Sequence, residues 1–132
     1  MPRLVRSLLL AALAMGARIA SAAAAPLAIH IHSDKAMFQV LISPGMVGTD
    51  SFVLQLMSGE GTLLPVKQAT LILSLPGQDA GPLERKAVLG PDGYWHVDDV
   101  TLRAAGRWHI RIDAVTPFKT ISLEDDFDVP AQ

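Results

Sequence analysis

The segment from Gly93 to Asp113 constrains the fold of this chain more than any other part of the sequence. It reads GYWHVDDVTLRAAGRWHIRID, and its second half alternates strictly. The apolar side chains of Trp108, Ile110 and Ile112 occur at every second position, and the residues between them are polar. Because successive side chains of a strand point to opposite sides of a sheet, this pattern predicts a strand with one buried and one solvated face.

Other short windows after the first 25 residues have the same character, and turns rich in Gly, Pro, Asp and Ser separate them. None of them shows the 3.6-residue apolar period of a helix. Short strands with turn signals about every eight to twelve residues are typical of antiparallel sandwiches. We therefore predict an all-β domain, an antiparallel Ig-like β-sandwich of about seven strands, with both tryptophans between its sheets. The candidate strand windows are 27–32, 37–42, 51–57, 69–75, 83–89, 94–97, 108–114 and 119–129.

Residues 1–24 have the features of a signal peptide. Arg3 and Arg6 precede a short apolar run over residues 7–15, and small residues suited to a cleavage site follow at positions 20–24. A membrane-spanning helix needs about 20 apolar residues, and Gly16 and Arg18 interrupt this run. We therefore predict cleavage, a periplasmic or secreted domain over residues 25–132, and no direct membrane insertion of that domain.

The charge of the domain excludes one class of partner. Without the first 22 residues, which hold three arginines and no acid, the chain keeps 8 Lys and Arg against 13 Asp and Glu, a net charge of −5. A nucleic-acid partner would require clustered Lys and Arg to neutralise phosphates, so none is expected. The chain has no cysteine, so disulfides, a thiol nucleophile and a thiolate metal ligand are all excluded.

The first two candidate strands contain the strongest candidate metal site. If windows 27–32 and 37–42 form a hairpin closed on the turn between them, His32 pairs with Met37 and His30 pairs with Gln39. His30, His32 and Met37 then lie on the outer, solvated face. A thioether beside two imidazoles suits copper, because soft sulfur favours Cu(I) and imidazole accepts either oxidation state. The sequence also allows a simple solvated strand face without any metal.

The remaining histidines and methionines are weaker candidates. His96 and His109 are predicted to point outward beside Asp98 or Asp113, where a carboxylate would orient the imidazole or both groups would simply face water. Met46 and Met57 are further candidates for soft metal ligands. Met57 lies opposite the predicted core side of its strand, so it is expected to be accessible, whereas methionine more commonly fills gaps in a protein core.

No catalytic constellation is present in the sequence. There is no G-x-S-x-G elbow and no glycine-rich phosphate loop before a helix. We therefore expect a protein that is not an enzyme.

The opening segment also carries a resemblance to a known family. The succession G-x-W/Y, then V-x-L, then G-R-W-x-I-x-I resembles the soluble C-terminal domain of bacterial copper-resistance CopD-type proteins. It is similar to the wider YtkA-like group of exported Ig-like domains. The matching residues are Gly93, Tyr94, Trp95, Val100, Leu102, Gly106, Arg107, Trp108, Ile110 and Ile112.

The resemblance implies periplasmic copper handling, or a partner role beside a membrane copper-transport protein. In CopD-type proteins the domain follows a bundle of membrane helices, whereas here we expect a signal peptide before the domain. The histidine at the mature N-terminus and the D-x-H motif of the related CopC carriers are both absent, so that site is not carried over. A function from another class stays open, namely a protein-interaction domain without metal that docks on a membrane protein through an exposed sheet face.

Overall fold

A computed structural model describes residues 26–78 and 80–131, and all of its regular elements are strands. The signal peptide predicted for residues 1–24 lies outside the described residues. The predicted all-β sandwich is confirmed, with nine strands in the described ranges rather than about seven. They are β1 (Leu27–His32), β2 (Ala36–Ser43), β3 (Gly48–Ser58), β4 (Gln68–Ser74), β5 (Leu83–Lys86), β6 (Val88–Leu89), β7 (Trp95–Leu102), β8 (Gly106–Val115) and β9 (Thr120–Val129).

The strands form two antiparallel sheets. Sheet A has the order β1-β2-β3-β7-β6, and sheet B has the order β5-β4-β8-β9. In β2, β3, β4 and β8 the buried positions alternate with partly exposed ones, as the period-two pattern predicts. The strand with the acidic run, β9, is an edge strand, where charged side chains discourage pairing with another sheet.

The core lies between the two sheets. Trp108 from sheet B is almost completely buried, together with Phe38 and Phe52 from sheet A, and Trp95 is also buried. The indole Nε1 of Trp108 donates a hydrogen bond to the carbonyl oxygen of Ala104 at 2.9 Å, so burial leaves this polar group paired. The predicted placement of both tryptophans is therefore confirmed.

Two candidate windows differ from the structure, the first because the chain changes sheet within it. The predicted strand at 83–89 divides at Ala87: β5 pairs with β4 in sheet B, and β6 pairs with β7 in sheet A. The strand predicted at 94–97 continues to Leu102, where it pairs with the start of β3 at Gly48. A register shift in this pair sets Asp98 and Asp99 against a single residue of β3.

Candidate functional site

The first hairpin has the register that the sequence predicts. In the β1–β2 pair, His32 is opposite Met37 and His30 is opposite Gln39. The inward positions Ile29 and Ile31 are buried, whereas both histidines are exposed and Met37 is partly exposed. The structure therefore brings His30, His32 and Met37 together on the outer face of sheet A.

A further methionine joins this group from the next strand. Met57 of β3 is the register partner of Met37, so His32, Met37 and Met57 form one row across three adjacent strands. Directly opposite residues of antiparallel strands are about 4.5–5.5 Å apart at Cα. The sequence pattern places Met57 on the outer face, but it contains no signal for its pairing with Met37, because the loop between β2 and β3 determines that register.

The two imidazoles are close but do not form a ready chelate. The ring centroids of His30 and His32 are 6.4 Å apart, and the ring planes differ by only 14°, so the rings are stacked. The lone pair of an imidazole nitrogen lies in its ring plane, so two stacked rings do not direct their lone pairs at one point. Both side chains are exposed, and their broad χ2 torsions allow the rings to turn toward a common ion.

Free ring nitrogens distinguish this pair from the other histidines. Within the described ranges, the imidazoles of His30 and His32 make no hydrogen bond or ion pair, and their only ring contact is with each other. Across those same ranges, no three side chains of His, Cys, Asp or Glu come close enough to hold a metal ion. Any third protein side chain at the histidine pair must therefore come from outside that set, and the thioether of Met37 is the neighbouring donor.

His96 lies on the outer face of sheet A but binds a different carboxylate from the one considered from sequence. Its Nε2 is 3.0 Å from both carboxylate oxygens of Asp92, in the turn between β6 and β7, so the partner is not Asp98. The hydrogen bond with His96, helped by the backbone N–H of Tyr94, lowers the pKa of Asp92. The imidazole packs closely on Gly90, where a Cβ would meet the ring at 2.7 Å. The turn between β6 and β7 therefore holds the His96 side chain in place.

His109 is held even more firmly on the outer face of sheet B. Its Nδ1 is 2.7 Å from Asp126 and its Nε2 is 2.8 Å from Glu124, both on β9, whereas Asp113 pairs with Arg111. The hydrogen bond with Asp126 raises the pKa of His109; burial opposes this effect, and the hydrogen bond with Glu124 adds to it. Only an imidazolium donates from both nitrogens, so this contact favours the protonated ring.

The outer faces of the two sheets differ in charge. On β8 and β9 of sheet B, Arg107, Arg111 and His109 form ion pairs with carboxylates. On β1, β2 and β3 of sheet A, no outward position carries Asp, Glu, Lys or Arg; these positions hold Ala28, His30, His32, Met37, Gln39, Leu41, Ser43, Thr49, Ser51, Val53, Gln55 and Met57. The histidine and methionine group therefore lies on a neutral surface.

An open cleft of about 520 Å³ lies at the opposite edge of sheet A from the first hairpin, between the β5–β6 segment and β7. Its lining includes Arg85, Leu89, His96 and Asp99. Arg85 donates to the carbonyl oxygens of Asp98 and Asp99 at 2.7 and 3.1 Å, so its charge is used to hold the bulge of β7. Among the described residues, no Ser, Thr or Cys lines the cleft, so no hydroxyl or thiol lies beside His96 there.

Comparison with known proteins gives similarity at the level of structure. No family model matches the sequence, and no curated protein matches it. A copper-bound variant of FetP from uropathogenic Escherichia coli superposes with a TM-score of 0.59 at 10% identity, covering 82% of this chain and 98% of that one. FetP as isolated after recombinant expression in the periplasm of E. coli gives a TM-score of 0.58 at 9% identity, with coverages of 81% and 96%.

This similarity extends over nearly the whole of the FetP chain, so the complete sandwich is shared rather than a single hairpin. At 9–10% identity it shows a common fold. The described part of this chain contains no helix that could cross a membrane.

Proposed function

We propose that this protein is a periplasmic copper-binding module of copper homeostasis, that it is not an enzyme, and that it holds the ion with His30, His32 and Met37. The observation that carries the proposal is the β1–β2 register, which sets His32 opposite Met37 on an outer sheet face. Imidazole nitrogen and thioether sulfur together are a donor set suited to copper. The periplasmic location rests on the signal peptide expected at residues 1–24, and the resemblance to the CopD-type domain points in the same direction.

Two further findings support the proposal. The ring nitrogens of His30 and His32 make no hydrogen bond within the described ranges, whereas the rings of His96 and His109 are held by carboxylates. One of the structures that shares the fold is described as copper-bound. The function of this chain would then be to hold copper in the periplasm, beside a membrane copper-transport protein as partner.

Copper titration of the purified protein tests the proposal. We expect the wild type to bind copper with submicromolar affinity and the double variant His30→Ala/His32→Ala to lose this binding. His96→Ala is the matched control, because it removes a histidine from the same sheet face and should leave the affinity unchanged. Equal copper affinity in the wild type and the double variant would exclude this site.

A second candidate function is docking on a membrane protein without a metal. The neutral outer face of β1, β2 and β3 favours it, because charged residues are depleted in the centres of protein interfaces. The same titration separates the two functions, since a docking domain would bind no copper in the wild type either. Substitution of Leu41 or Val53 by Asp on this face would then abolish partner binding.

A further inference from the structure

Met57 is the one member of the three-strand row that the proposed function does not use. It is the register partner of Met37, which in turn is the register partner of His32. Side chains at directly opposite positions of adjacent strands lie on the same side of the sheet and within contact of each other. The row ends at Leu63, which forms an isolated bridge with Met57 and is half exposed. Met57 therefore lies between another thioether and an apolar side chain.

We infer that Met57 is a metal ligand together with Met37 and the histidine pair, and that the resulting site takes a soft monovalent ion, Cu(I), in preference to Cu(II) or Zn²⁺. This inference rests on the proposed function and specifies the ligand set and the oxidation state. Two thioethers from neighbouring strands supply more soft donor character than one, and thioether sulfur selects Cu(I) among the first-row metals.

The charge of the surroundings gives an independent reason for a monovalent ion. The donors in the group are imidazole nitrogen and thioether sulfur, which bring no negative charge to an ion, and no outward position of β1, β2 or β3 carries a carboxylate. The nearest acids along the chain are Asp34 and Glu60 in exposed turns, and neither joins the two histidines in a cluster of potential ligands within the described ranges. Neutral donors leave the charge of a bound ion uncompensated, and that uncompensated charge is smaller for a monovalent ion than for a divalent one, which favours the monovalent ion.

The side chains have the freedom that coordination requires. Met37 and Met57 are partly exposed, so their sulfur atoms are not locked in the core. A methionine side chain has three rotatable bonds and adapts easily to a new contact. The flexible thioethers therefore offset the stacked arrangement of the imidazoles, because they can approach an ion held by one ring before the other ring turns.

The test compares Met57→Leu with the wild type in competition for Cu(I) against a chromogenic Cu(I) chelator under anaerobic conditions. Met46→Leu is the matched control: it removes a partly exposed thioether from the loop after β2, at the far end of that strand from Met37. Loss of supporting groups around a metal commonly costs 10–100-fold in affinity, so removal of a direct ligand should weaken Cu(I) binding by at least about tenfold. Met46→Leu should bind as the wild type does, and Cu(II) and Zn²⁺ affinities should be the same in all three proteins.

A second measurement does not depend on any variant. With ¹³C-methyl methionine labelling, addition of Ag⁺, a redox-inert analogue of Cu(I), should shift the methyl signals of Met37 and Met57 and leave that of Met46 in place. Unchanged Cu(I) affinity in Met57→Leu, or an unshifted Met57 signal, overturns the inference. If His30→Ala/His32→Ala loses copper binding in that case, the proposed function still stands, with Met57 removed from the ligand set. A wild type that binds no copper overturns both. Tighter binding of Cu(II) or Zn²⁺ than of Cu(I) refutes the monovalent selectivity alone.

Discussion

The pH dependence of stability should be dominated by His109, which joins β8 to β9 through two carboxylates. The perturbation is His109→Gln, which keeps a polar side chain of similar length but cannot carry a positive charge. In the wild type the contacts with Asp126 and Glu124 raise the pKa of His109. A group whose pKa is higher in the folded state stabilises the fold fully below its unfolded-state pKa, about 6.5 for histidine. That stability is lost as the pH rises through the folded-state value.

The magnitude follows from the exposure of the partners. The Asp126 and Glu124 side chains are 45% and 62% exposed, so solvent screens both contacts. Exposed ion pairs contribute about 0.2–1 kcal/mol each, so the two together should be worth about 1 kcal/mol. For a domain of about 100 residues, 1 kcal/mol corresponds to a change in Tm of about 4–8 °C. Arg107, whose Nε is 3.7 Å from the Asp126 carboxylate, also pairs with it. In the variant Asp126 therefore keeps this ion pair with Arg107.

The assay is thermal unfolding followed by tryptophan fluorescence between about pH 6 and 9, since both tryptophans are buried. The difference in Tm between the wild type and His109→Gln should be largest near pH 6 and should fall as the pH rises. High salt should reduce it as well, because the pairs are exposed. His96→Gln is the control and should not remove this trend. A difference that is constant with pH, or that grows with it, would refute the assignment.

Three further predictions concern the loop after β2 and the core. Asp50 is buried, and its Oδ1 accepts hydrogen bonds from the backbone N–H groups of Gly45 and Met46, at 2.6 and 3.3 Å, while its Oδ2 has no partner among the described residues. Asp50→Ala should therefore lower the free energy of unfolding, measured by urea titration, by about 2–4 kcal/mol. Asp50→Asn keeps the accepting oxygen and should stay close to the wild type. Equal losses in the two variants would contradict this account. Gly45→Ala should lower the free energy of unfolding by at least about 1–2 kcal/mol, because Gly45 has φ +81° and an added Cβ would lie 2.8 Å from the Cβ of Leu27. An unchanged stability would show that the loop can move. Leu54→Ala truncates a completely buried side chain of β3 and should lower the free energy of unfolding by about 2–5 kcal/mol, with cooperative unfolding retained in a urea titration. A loss below about 1 kcal/mol would mean that neighbouring core side chains fill the cavity.

Alternation was sufficient to predict the sandwich and the inward residues of its long strands. In β8, Trp108, Ile110 and Ile112 are buried as expected, because a period of two leaves only one choice of face. The β1–β2 register was also accessible from sequence, since a short turn closes the hairpin and one-residue slips would bury polar side chains. The pairing of His32 with Met37 followed directly from that register.

Contacts between strands that are not joined by a short turn had to come from the tertiary structure. The neighbours of His109 are on β9, 15 and 17 residues away in the chain, and sequence reasoning placed it beside Asp113 instead. Ala87, where the chain crosses from sheet B to sheet A, carries no special residue pattern. In the same way, the alternation predicted an accessible Met57, but only the packing of β3 against β2 places it beside Met37. Periodicity specifies which face a side chain occupies, whereas the pairing of distant strands specifies what it meets there.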